Sequence, residues 1–273
     1  MKRTALAAFL IAASSIPGVC AGYDDLNSGI SAFNAEQNDS AISWFTKALE
    51  AGDLVPDQIR IAHLNRGFSY NRKGETEKAI ADFTAVLAIK PHDKWALSER
   101  VLSYLALQDK KKAVADLALL AALNPNDPAA AYILGCLNWE LGRHAESAAI
   151  FSRQANTNEY AWLWLQLNNV TLGEPMTPPP ARYQADLWPN PLIAFFQGKA
   201  TQDDVMSAAQ SPSAAQEHAC EANFFPAMLH AAKNEMSLAE PLFSEAVQRC
   251  ESNSRERSIS RQQLEKITAK AEK

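Results

Sequence analysis

The side chains in this chain that could ligate a metal or attack a carbonyl are few. They are five histidines (His63, His92, His144, His218, His230) and four cysteines (Cys20, Cys136, Cys220, Cys250). Their densest grouping is His218, Cys220 and His230, a donor set that could hold zinc or pair a thiolate with an imidazole. The spacing does not support either. No two histidines stand in an H-E-x-x-H arrangement, no two cysteines have zinc-ligand spacing, and no Gly-rich phosphate loop or G-x-S-x-G turn occurs. The adjacent carboxylates Asp24-Asp25 and Asp203-Asp204 sit at a chain start and in a predicted first helical turn, where the helix dipole favours them without any catalytic role. The sequence therefore calls for no metal and no cofactor. An enzymatic reading survives only as a site built near Trp188, His218 and His230.

The strongest pattern lies elsewhere, in NRGFSYNRKGETEKAIADFTAVLAIKP (65–91), which carries no reactive group in a recognisable setting. Slid along the chain by 34 residues, Tyr70 falls on Tyr104, Ala79 on Ala113 and Pro91 on Pro125. Two such steps take Gly67 to Gly135 and Phe83 to Phe151. Backward, Gly29, Ala41 and Phe45 match at an offset of 38, which places four extra residues in the linker around 51–56. A constant period of this length marks stacked supersecondary units. Small Gly and Ala positions let two helices approach, Tyr and Phe fill the space beside them, and Pro ends the second helix. Gly74-Glu75 and Gly142-Arg143 supply turns inside the hairpins. In later units Val101 replaces the first Gly, Asn138 the Tyr, and Glu159 the Pro.

These residues resemble the tetratricopeptide repeat, a pair of antiparallel helices stacked into a solenoid. The resemblance implies an all-α fold with about four repeats over residues 22–159. A C-terminal helical region, 160–273, follows.

The first 21 residues, MKRTALAAFLIAASSIPGVCA, have two cations, an apolar run and a Pro-Gly break, the anatomy of a secretory signal peptide. Val19 and Ala21 are small where a leader protease requires it, which places the mature start at Gly22. The apolar run is too short to span a bilayer, and Val19 before Cys20 does not suit lipidation. Removing this segment takes away Lys2 and Arg3 of the 26 basic residues and none of the 31 acidic ones, leaving a net charge of −7. An acidic chain is a poor partner for nucleic acid. The expected location is the periplasm.

Beyond Glu159 the period is lost but helical character continues. YAWLWLQL (160–167) is a dense apolar run, and TLGEPMTPPPARYQADLWPNP (171–191) reads mostly as loop. Short helices are predicted at 191–197 and 201–209, the latter capped by Thr201 with Asp204. Ala239, Phe243 and Ala246 repeat the second-helix signature, opened by a Ser237/Glu240 capping box, and 255–273 reads as a polar capping helix. In that last hairpin Cys220 lies near the start of one helix and Cys250 just past the end of the next. Antiparallel packing brings those ends together, which predicts a Cys220–Cys250 disulfide worth about 3–4 kcal/mol and leaves Cys136 as a buried thiol.

A narrower resemblance is to periplasmic tetratricopeptide adaptors of the new-lipoprotein-I type. It rests on Ala62-His63-Leu64-Asn65-Arg66-Gly67, Trp162-Leu163-Trp164-Leu165, Trp188-Pro189 with Phe195-Phe196 and Gly198, and Cys220-Glu221 with Asn223-Phe224-Phe225. The chain departs from that family in lacking a lipobox and in having Pro226-Ala227 where Leu-Gly is expected. The resemblance implies a non-catalytic scaffold that recruits peptidoglycan hydrolases or a processing protease, often as a homodimer. A subunit of a secretion or pilus-assembly complex is the alternative. In the repeat class that the chain resembles, the first helices line a concave, partner-binding face, and the resemblance with the repeat phase nominates Tyr23, Leu26, Ile30, Phe33, Ile61, Leu64, Phe68, Arg72, Trp95, Leu102, Leu105, Tyr132, Cys136 and Trp139 for it. The basic clamp that grips a C-terminal carboxylate in some such grooves is mostly missing, because Leu26, Ile30, Trp95 and Glu99 fill its positions beside Asn65.

Overall fold

The computed structural model describes residues 21–125, 127–180, 187–210 and 215–271. The proposed leader, residues 1–20, lies outside them. The described residues form helices joined by short connections, with no strand among them, and divide into two compact units, 1–126 and 127–273. The boundary expected from the repeat phase, after residue 159, falls inside the second unit. Among the described residues no helix is long and apolar enough to cross a membrane.

The first unit holds three hairpins: α1 (Ala21–Asn34) with α2 (Asn38–Glu50), α3 (Pro56–Arg72) with α4 (Thr76–Ile89), and α5 (Lys94–Ala106) with α6 (Lys110–Leu123). Each helix packs on its sequence neighbours within the unit, and α3 also touches α1 and α5. The starts are set by side chains that satisfy otherwise free N–H groups. Asp93 accepts from the amides of Trp95 and Ala96, and Asp109 from Lys112. The turn within each hairpin passes through one left-handed residue, Glu36, Gly74 or Gln108. The four extra residues of the first period do not lengthen a linker as expected. They add one turn to the start of α3, which has 17 residues against 13 in α5, because four residues close one helical turn at almost no cost in register.

The repeat signature has a direct packing cause. A Cβ placed on Gly29 would sit 2.6 Å from the ring of Phe45, and one on Gly67 would sit 2.7 Å from that of Phe83. Contacts this short are overlaps, so the glycines let the fully buried phenylalanines lie against the backbone of the facing helix. The third hairpin solves the same problem the other way. Val101 stands at the glycine position and Leu117 at the phenylalanine position, both buried, so a larger first residue faces a smaller second one.

The second unit begins with a fourth hairpin, α7 (Pro128–Glu140) and α8 (His144–Ser152), in which Gly135 faces Phe151 at 2.6 Å by the same measure. It continues through α9 (Glu159–Leu172), α10 (Asn190–Phe196), α11 (Gln202–Ala208), α12 (Ala215–Ala232), α13 (Met236–Arg249) and α14 (Arg255–Ala271). The apolar run of α9 is its centre. Trp162, Leu163, Trp164, Leu165 and Leu167 are all buried, packed against Phe151, Phe196, Phe224 and Phe225. The proline-rich segment that follows is tied along α9. Gln166 exchanges two 2.8 Å bonds with the amide and hydroxyl of Thr177, and the Trp162 indole donates to the Pro178 carbonyl at 2.8 Å.

The helix α12 runs through Pro226, and α12 with α13 forms the predicted last hairpin, in which Ala239, Phe243 and Ala246 are fully buried. Thr201 and Asp204 form their capping box at α11, whereas the Ser237/Glu240 box does not form. The turn at Asn234, left-handed like its counterparts, starts α13 at Met236 and leaves Ser237 already inside the helix. Cys220 and Cys250 are joined, with their Cα atoms 4.7 Å apart.

Candidate protein-binding site

The inner face of the first unit is built from α1, α3 and α5, and its side chains form a graded apolar surface. Tyr23, Ile30, Phe33, Ile61, Phe68 and Leu105 are half-buried, while Trp95 is 57% and Leu102 48% exposed. Phe33 and Phe68 lie with ring centroids 6.2 Å apart, and Phe68 in turn meets the edge of Phe83 at 5.8 Å. Arg72 closes one side, its guanidinium 4.2 Å over the Phe33 ring. Leu26 and Leu64, assigned to this face by phase, lie in the cores beneath it, where Leu64 packs with Ala79, Phe83 and Ala96. Their position in the helix points into the joint between consecutive hairpins, and burial there takes them off the accessible surface.

In the second unit the corresponding residues of α7 are covered. Cys136 is fully buried, its thiol pushed up to about 12 by burial. Tyr132 and Trp139 are half-buried against Trp164, which donates its indole N–H to the Tyr132 hydroxyl at 2.9 Å and meets the Trp139 ring at 5.6 Å. Arg255 of α14 lies beside Cys136 and 3.9 Å from Glu140. Trp164 of α9 and Arg255 at the start of α14 thus pack against the α7 residues that the phase assigns to the inner face.

The residues of the enzymatic alternative have separate structural partners. His218 stacks on Trp188 at 4.5 Å, and His230 bonds Glu235 at 2.7 Å and meets the edge of Phe195. Among the described residues no group of three or more His, Cys, Asp or Glu is placed to hold a metal.

Two buried polar systems escaped the sequence reading. In the first unit, Arg66 makes a two-bond contact with Asp82 at 2.9 and 2.8 Å and reaches back to the Thr46 hydroxyl of the preceding hairpin at 2.9 Å. Arg100 repeats this with Asp116, both bonds 2.7 Å, and with Thr84 at 2.9 Å. Each arginine therefore fastens its own hairpin and the one before it. The signal was present, since both arginines and both aspartates recur at the 34-residue period. In the second unit, Glu221 accepts from the Tyr160 hydroxyl at 2.8 Å and the Trp188 indole at 2.6 Å.

Burial, opposed by those two hydrogen bonds and helped by nearby Glu217 and Glu256, raises the Glu221 carboxyl to about 7. A carboxyl whose folded value is raised favours the fold in its protonated form. That contribution is complete below the ordinary value near 4.5 and is lost as pH climbs through about 7. The melting temperature of the second unit is expected to fall over that interval in differential scanning calorimetry. Glu221→Gln, which keeps an oxygen acceptor for both donors and cannot ionise, is expected to remove that slope.

A tetratricopeptide repeat family model matches residues 26–94 and 99–169, just over half of the chain. No curated protein matches it. Among solved structures, a tetratricopeptide repeat protein from Parabacteroides merdae aligns over 90% of this chain and 98% of its own, at 16% identity and a TM-score of 0.53, a similarity of fold. Weaker matches are the first TPR of Spaghetti (RPAP3) bound to an HSP90 peptide (24% identity, 45% of this chain and 98% of that one, TM-score 0.38) and a MamA protein (14% identity, 84% and 91%, TM-score 0.44). With its stacked hairpins and its Gly-on-Phe packing, this chain belongs to the tetratricopeptide repeat family.

Proposed function

We propose that the chain is a non-catalytic adaptor of the cell envelope, exported to the periplasm, which holds a partner protein on the inner face of its first unit. Tetratricopeptide repeats are protein-interaction modules, and the observation that carries the reading here is the apolar surface of α1, α3 and α5. A tryptophan and a leucine of α5 stand half in solvent, and Phe33 of α1 and Phe68 of α3 are half-buried with their rings in contact. Such anchors dominate binding when a partner desolvates them. The aromatic and aliphatic side chains of this surface suit the apolar stripe of an amphipathic helix or an extended apolar peptide. Peptidoglycan hydrolases or a processing protease are the partners that the family resemblance suggests, together with pairing of two copies of the chain.

Affinity capture from native envelope extract tests this. Trp95→Ala and Leu102→Ala are each expected to weaken the recovered complex about 10- to 30-fold while leaving the circular dichroism unchanged, since both side chains stand in solvent. Retention of every partner by both variants would move the binding surface elsewhere. Recovery of outer-membrane secretion components instead of hydrolases would favour the assembly-complex alternative. Light scattering of the purified chain reads the self-association.

A further inference from the structure

The start of α1 is enclosed in a way that its sequence position does not require. Gly22 is buried although it is the second residue of the helix, and its backbone N–H donates to Asp53 Oδ2 at 3.3 Å. A Cβ at this position would overlap Asp53 Oδ1 and come within 3.1 Å of the Ala48 carbonyl oxygen and the Ala51 methyl. Asp53 reaches this place because the connection after α2 turns through Gly52 at φ +74°, which folds the carboxylate back over α1. The nitrogen of Gly22 thus lies against a carboxylate, which has two acceptor oxygens, and a peptide N–H brings one proton to it. Ala21, immediately before it, is exposed.

We infer that the chain is cut between Ala21 and Gly22, and that the α-ammonium so released is held by the carboxylate of Asp53. The cut is a hydrolysis by a leader protease of the exporting cell. One water adds across the bond, its oxygen going to the Ala21 carbonyl carbon, which leaves as a carboxylate, and both of its hydrogens ending on the Gly22 nitrogen as the ammonium. The new ammonium brings three N–H donors to a site that offers more than one acceptor. A positive charge at a helix N-terminus is otherwise unfavourable, because the dipole is positive there as well. Asp53, together with Asp24 in the first turn, offsets it. A side chain at this position would push the Asp53 carboxylate aside. Val19 and Ala21, small at the third and first positions before this bond, make the junction a substrate for such a protease.

This inference rests on the export reading, and one experiment separates the two. The full chain, expressed with its own leader in a Gram-negative host and purified from the periplasmic fraction, is analysed by intact mass and N-terminal sequencing. The expected N-terminus is Gly-Tyr-Asp-Asp. An uncut chain retained in the cytoplasm would overturn both readings, whereas an exported chain beginning at a lipidated Cys20 or at any other residue would overturn the junction alone. The pH dependence of acylation of the Gly22 amine then tests the pairing. Asp53→Asn, an exposed substitution, is expected to lower the midpoint by about half a unit or more, and an unmoved midpoint in a folded variant would overturn the role of Asp53.

Discussion

Phe83→Ala is expected to destabilise the first unit by about 3–5 kcal/mol, the range for emptying a fully buried aromatic site, read as a lower urea midpoint by tryptophan fluorescence. Phe83 is completely buried between α3 and α4 and meets Phe68, so its loss opens the hairpin and removes support from the inner face. The companion test concerns fit rather than size. Gly67→Val places atoms where the Phe83 ring lies 2.7 Å from an added Cβ, and overpacking of this kind costs about 1–3 kcal/mol or more. Joining it to Phe83→Leu reproduces the Val101/Leu117 pair that the third hairpin already uses. The double variant is therefore expected to be more stable than the sum of the single effects predicts. Strict additivity would show that the two positions do not compete for the same space.

The second large effect is electrostatic. Asp82→Ala is expected to cost the first unit about 3–5 kcal/mol, because it leaves the guanidinium of Arg66 without its two-bond partner in a largely buried setting. Burial by itself would raise the Asp82 carboxyl, but the hydrogen bonds from Arg66 and His63 and their charges outweigh it and hold it below its ordinary value. A depressed carboxyl contributes stability that is complete above its unfolded value near 3.8 and disappears as pH falls through the lower folded one. Acid unfolding of the parent below about pH 4 should thus be shallower in Asp82→Asn, whose stability at neutral pH is already reduced. If the neutral-pH stability of both variants equals that of the parent, the inter-hairpin clamp contributes nothing.

The first unit and the second titrate in opposite senses. Asp82 is ionised and paired with a cation, so acid weakens its neighbourhood. Glu221 is buried with neutral donors, so base weakens its neighbourhood. A single pH profile of the whole chain therefore sums two trends, and separate probes are needed, with Trp95 and Trp44 reporting on the first unit and the tryptophans of α9 on the second.

The hairpins and the Gly-on-Phe packing were legible in the sequence because each is a local relation. Gly67 and Phe83 are 16 residues apart, and the same offset recurs wherever a hairpin recurs. The left-handed turns were legible only at Gly74 and Gly142. Glu36, Gln108 and Asn234 adopt the same conformation without glycine, since hairpin closure outweighs the modest strain of one such residue. The Arg66–Asp82 and Arg100–Asp116 pairs share the repeat offset and could have been found by sliding charged residues along with the apolar ones.

By itself, then, the sequence determined the helical hairpin, its period, the family and the phase that assigns residues to an inner face, because a periodic fold writes the same short-range contacts into every period. Which inner faces stay open was decided only by the tertiary structure. Cys136 has the phase of Phe68 and Leu102, yet it is fully buried where those two are half-buried and exposed, with Arg255 of α14, a segment with no repeat phase of its own, beside it. The Glu221 cluster likewise joins residues 61 and 33 positions away. Contacts of that span depend on where an irregular chain returns after its loops, and the spacing of residue types along one segment carries no record of it.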